Sequence, residues 1–153
     1  MPVSPLTGAK ETESKMLLTI DYRQRLMDLD SQIQKMREQE TDSNVYSIKT
    51  SAETELKMWE GELNSIYNAL LELLPQEDAA RLAAEQQEWL KTRETKAAEN
   101  TGKSGGSVER IGYAATLASL TRDRAYELAG RYEQANGLPA PVEEETTDAV
   151  SGQ

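Results

Sequence analysis

The 153-residue chain has no cysteine, no histidine and no phenylalanine. Lack of cysteine excludes a disulfide framework and a thiol nucleophile. Lack of histidine excludes an imidazole general base and any ordinary zinc or haem ligand set. With no serine-nucleophile motif either, we expect a protein that is not an enzyme and that carries no metal and no cofactor. Long hydrophobic runs are missing too, so neither a signal h-region nor a membrane span is expected. That leaves a cytoplasmic protein, or an exported one whose signal has been removed. Basic residues are in deficit, with 17 Lys and Arg against 27 Asp and Glu and a formal charge of −10. An acidic surface repels nucleic acid and anionic lipid, keeps a small domain soluble, and steers basic proteins toward itself. We therefore expect a protein partner and no nucleic acid.

Aromatics are few, two Trp and six Tyr, so the interior must be built from Leu, Ile, Ala and Met. β-branched residues occur singly and never alternate over a strand's length, whereas helix formers dominate. The fold class expected is all-α, an antiparallel bundle of about four helices with a long helical hairpin. Residues 1–9, with two prolines and a glycine, read as a flexible leader. Residues 10–43 read as an N-terminal amphipathic helix, residues 44–135 as the helical domain, and residues 136–153 as a disordered acidic tail punctuated by Pro139 and Pro141.

In the first helix, expected from about Lys10 to Glu40, Tyr22, Leu26, Leu29, Ile33 and Met36 recur every three or four residues, the seam of a helix that packs on another. That seam could equally pair with a second copy of the chain. The second helix carries Ile48, Ala52, Leu56, Trp59, Leu63, Ile66, Leu70 and Leu73 in the same rhythm until Pro75. Thr41 to Asn44 between them suit a tight reversal, or a kink in one bent helix. A third helix opens after Pro75, with Glu77 and Asp78 at its positive end, and stops before Asn100. Residues 100–107, NTGKSGGS, form a mobile loop, and Ser107 is placed to N-cap the fourth helix.

Arg93 lies one turn beyond Trp89, which suits stacking on the indole together with a charge-assisted bond to a carboxylate such as Glu62. Such a pair braces helices two and three, or lines a groove for a partner or a sugar. Asn64 and Tyr67 sit one turn apart on helix two. Gly105-Gly106-Ser107 lacks the Gly-Lys-Ser/Thr ending of a phosphate loop. It reads as a helix connection that needs glycine, or as a protruding finger with Lys103. Arg124 is expected to pair with a carboxylate on another helix. Glu60 with Asp123 or Glu127 is imaginable as an acid/base pair, but nothing places such a pair in a cleft. Asp28-Leu29-Asp30 reads as a solvated helix face and makes no calcium loop.

Taken in order, Glu62, Leu63, Asn64, Tyr67, Gln86, Trp89, Arg93, Gly105, Gly106, Ser107, Leu120, Thr121 and Arg124 resemble the signature of the lysozyme inhibitor LprI-like N-terminal domain, over residues 51–132. The resemblance implies a helical protein of the bacterial envelope, periplasmic or exported. It also implies inhibition of a lysozyme by direct binding, with the glycine loop and adjacent helix ends occluding the cleft of a basic enzyme. An acidic antidote to a secreted toxin and a helical assembly module are the alternatives. Exported members of the family usually carry paired cysteines, near the positions that Ser51, Ala97 and Thr116 hold here, so this chain departs from the pattern.

Overall fold

The computed structural model describes residues 19–41, 44–100 and 107–137, and its regular structure is four α-helices. These are α1 (Tyr22–Gln39), α2 (Val45–Leu73), α3 (Gln76–Glu99) and α4 (Ser107–Ala135). The leader, the glycine loop residues Gly105 and Gly106, and the tail beyond Gly137 lie outside the described residues. No helix among the described residues is long and apolar enough to cross a membrane.

The helix ends follow local chemistry. The Asp21 side chain accepts a hydrogen bond from Gln24 N at 3.0 Å and so starts α1 at Tyr22; the earlier part of the expected helix, residues 10–18, lies outside the described residues. Asn44 caps α2 in the same way, through Ser47 N at 2.9 Å. Leu74 is extended because it precedes Pro75, which ends α2 and opens α3. Glu77 and Asp78 lie in the first turn of α3 and Lys96 in the last, each complementing the helix dipole. After α4 the chain turns at Gly137, whose φ of 76° is the left-handed conformation that glycine adopts without strain.

Cross-helix pairs fix the topology. Arg25 meets Glu62 and Arg37 meets Glu55, so α1 runs antiparallel to α2, which makes the expected hairpin and sets aside the single bent helix. The tight turn at Leu74-Pro75 folds α3 back along α2, where Arg93 meets Glu60, while Arg93 meeting Thr121 and Arg131 meeting Glu85 make α4 antiparallel to α3. Hence α2 and α4 run parallel, and theirs is the most extensive contact in the bundle. α1 and α3 flank that pair on either side.

The close approach of α2 and α4 follows from a stripe of small side chains on α4: Ala114, Ala118, Thr121, Ala125 and Ala129, all buried. Spaced by three, four or seven residues, they share one face of the helix. Against them α2 sets Trp59, Leu63, Ile66 and Leu70, of which Ile66 and Leu70 are wholly buried. The outer flank is closed by the α1 seam, Tyr22, Leu26, Leu29 and Ile33, with Tyr22 edge-on to Tyr132 at 4.9 Å. The seam expected to be available to a second copy is therefore spent inside the molecule, and a homodimer through α1 would require α1 to leave its seat.

Candidate functional site

Five of the residues singled out in the sequence converge at the α3/α4 interface: Gln86, Trp89, Arg93, Thr121 and Arg124. The helical repeat puts Gln86, Trp89 and Arg93 on successive turns of α3, and Thr121 and Arg124 on one face of α4. Both guanidinium groups lie over the Trp89 indole, that of Arg93 5.3 Å from the ring centroid and that of Arg124 5.7 Å. Arg93 Nη1 donates to Glu60 Oε2 and to Thr121 Oγ1, each at 3.0 Å. The Thr121 hydroxyl in turn donates to Leu117 O at 2.6 Å and is fully buried. Arg124 Nε donates to Gln86 Oε1 at 3.0 Å, and its Nη1 reaches Glu85 at 2.9 Å and Glu127 at 3.2 Å.

Glu85 is shared, since Arg131 binds it through two further hydrogen bonds. Those bonds, opposed by partial burial and reinforced by Arg124, hold its carboxyl below the usual carboxylate range. Arg93 Nε and Arg124 Nη2 are buried without a hydrogen-bond partner among the described residues. Both belong to arginines stacked on Trp89, so the electron-rich indole face is the surface that offsets them.

The expectation that Arg93 would reach Glu62 is corrected: its carboxylate is Glu60. Two positions along a helix turn the side chain by more than half a circle, so Glu62 faces α1 and forks with Arg25 instead, at 3.2 and 3.0 Å. The brace therefore joins α3 to both α2 and α4. The pairing expected of Arg124 with a carboxylate on another helix is present, in Glu85 of α3. Glu60 is paired with Arg93, Asp123 with Arg122, and Glu127 with both Arg124 and Arg131.

The remaining signature residues lie elsewhere. Leu63 is core at 3% exposure, Asn64 is exposed, and Tyr67 packs half-buried against the core. Leu120 is half-buried. α4 begins at Ser107, whose side chain lies outside the described residues, as do Gly105 and Gly106.

A second polar constellation was not legible in the sequence. Asp30, expected on a solvated face, is held by Arg122 through bonds of 2.8 and 3.0 Å and accepts the Tyr126 hydroxyl at 2.6 Å. Arg122 also lies over Tyr126 and over Trp59. Burial pushes Asp30 up, but the Arg122 and Tyr126 hydrogen bonds outweigh it and leave the carboxyl below its ordinary value. Burial, then the bond to Asp30, pushes the Tyr126 phenol up to about 12. Next to this cluster a crevice of about 230 Å³ opens between α1, α2 and α4, lined by Gln34, Arg37, Glu55, Trp59 and Ser119 among others. Among the described residues no group of three or more acidic side chains is placed to hold a metal ion.

The arrangement defines a helical scaffold in which Arg25, Arg37, Arg93, Arg122 and Arg124 tie one helix to another. The chain belongs to the family described as lysozyme inhibitor LprI, whose model matches residues 36–128. No curated protein and no solved structure matches it. The match starts fifteen residues earlier than the resemblance seen in the sequence, and it takes in the last turn of α1.

Proposed function

We propose that this protein binds a lysozyme directly and inhibits it without chemistry of its own. The family match carries the reading, since the family is described by that inhibition. The character of the signature residues agrees with it. Arg93 and Arg124 are bonded to neighbouring helices and lie over Trp89, which supports a scaffold role for the three over contact with an enzyme. A carboxylate-rich exterior, with an overall charge of −10, suits a basic partner by speeding encounter. Under this reading the protein acts at the bacterial envelope. The glycine loop and the helix ends beside it, Asn100 and Ser107, are the occluding element.

The test is cell-wall turbidity with a basic lysozyme and increasing molar ratios of the purified chain, alongside calorimetric titration at low and physiological salt. Lysis that stops at a stoichiometric ratio, with binding that survives physiological salt, is the expected result. Undiminished lysis at a large excess would remove this function, and binding that vanished with salt would leave only unspecific charge attraction.

A further inference from the structure

The most unusual seat in the bundle is that of α1. Its apolar seam rests in a groove whose floor is Trp59, Leu63 and Ile66 of α2 with Ala125, Ala129 and Tyr132 of α4. Four ion pairs tie α1 to the rim, one of them, Asp30 with Arg122, placing the acid on α1, and the other three placing arginine there. Arg23 forks onto Glu133 at 3.0 and 2.9 Å, Arg25 onto Glu62 at 3.2 and 3.0 Å, and Arg37 onto Glu55 at 3.0 and 2.6 Å. In each case both carboxylate oxygens accept from one guanidinium, the geometry that selects arginine over lysine.

α1 carries Arg23, Arg25, Lys35 and Arg37 against Asp28, Asp30 and Glu38, and is the one helix of the four with net positive charge. As far as Lys35 it also lies outside the residues matched by the family. An arginine-bearing amphipathic helix thus occupies a groove whose rim offers it the carboxylates of Glu133, Glu62 and Glu55 and the guanidinium of Arg122.

We propose that this groove is a second recognition face of the domain, apart from the glycine loop, that its partner is an arginine-bearing amphipathic helix on a basic protein, and that α1 is a built-in competitor which must leave before that partner is seated. Helix-in-groove recognition uses apolar anchors spaced as Tyr22, Leu26, Leu29 and Ile33 are. The exposed character of the latch suits release: Arg25 and Arg37 are 50% and 62% exposed at the side chain, so their ion pairs are weak and screened by salt. A site open only part of the time binds with an affinity reduced by the open fraction. Loosening α1 therefore tightens binding. The identity of the natural partner as a lysozyme rests on the function proposed above; the groove and its competitor do not.

The experiment uses the full chain and its Arg25→Ala/Arg37→Ala variant. An equally discharged control, Arg81→Ala/Lys91→Ala, alters α3 alone. The probes are a labelled synthetic peptide of residues 19–41 and, separately, a basic lysozyme. Hydrogen exchange of the α1 amides reports release of the latch. Two weakened surface pairs should accelerate that exchange and tighten peptide binding by the same factor, roughly three- to tenfold, with the control unchanged. Faster α1 exchange with no gain in peptide binding would overturn the proposal and make α1 an ordinary part of the fold. If the double variant loses helix content, Arg25→Ala alone keeps three of the four α1 ion pairs, and the same two readouts must still rise together. Peptide binding without lysozyme binding would keep the groove and remove the lysozyme. Lysozyme inhibition with no effect of the latch variants on either probe would do the reverse.

Discussion

Replacing Arg93 with alanine separates a scaffold from a binding groove at the Trp89 cluster. The side chain is 10% exposed and makes two hydrogen bonds and one stacking contact. Glu60, 37% exposed, regains water when its partner goes, so that pair is counted as a surface one, about 0.5–1 kcal/mol. The bond to buried Thr121 is a charged hydrogen bond of about 1.5 kcal/mol; the hydroxyl keeps its bond to Leu117 O and is not orphaned. Loss of the partly buried cation–π contact costs about 1 kcal/mol. The total is about 3 kcal/mol. With a urea m-value of about 1.5 kcal/mol/M for a domain of this size, the midpoint should fall by about 2 M.

Urea unfolding followed by far-UV dichroism and tryptophan fluorescence measures it, and Arg93→Lys should recover less than half, because an ammonium lacks the planar face that stacks on Trp89. A loss below about 1 kcal/mol, accompanied by loss of lysozyme binding, would refute the scaffold reading and make the cluster a contact surface.

Neighbouring positions on α2 should behave oppositely. Leu63→Ala, at a core site 3% exposed, should cost about 2–5 kcal/mol, and Glu62→Ala, which breaks an exposed ion pair, about 1 kcal/mol or less, both read from urea midpoints. Ala125→Leu puts three extra carbons into the α2/α4 contact at a fully buried site and should destabilise by about 1–3 kcal/mol, more than the same change at exposed Ala80. Asp30 and Glu85 both titrate below their unfolded values. The unfolded chain therefore takes up their protons first, and the stability they supply is complete at neutral pH. It is lost as pH falls below about 4 toward their folded pKa values. Unfolding midpoints from pH 7 to 3 should fall in that lower range, and Asp30→Asn with Glu85→Gln should flatten the profile.

Helix identity and order were legible because period alone decides them: each α2 seam residue from Leu56 to Leu73 is buried or packed on the core. The cap at Asp21 was not legible, because it lies within a stretch whose composition favours helix on both sides. At the candidate site, the i, i+3 and i+4 spacings gathered Gln86, Trp89 and Arg93 correctly, since spacing on one helix is local information. The carboxylate met by Arg93 depends on how α2 is rotated about its axis, which no local pattern states; Glu60 and Glu62 are equally acidic on paper. The Asp30, Arg122 and Tyr126 cluster joins residues more than ninety positions apart and has no sequence mark.

Because α2 and α4 are the parallel pair at the centre, the two strips that bury each other are separated along the chain by the whole of α3. A chain growing from its N-terminus has made α1, α2 and α3 before the alanine stripe exists. Until α4 emerges, Trp59, Leu63, Ile66 and Leu70 lack their principal cover, and only the flanking helices α1 and α3 shield them. The fourth helix is thus the one that commits the bundle to its fold.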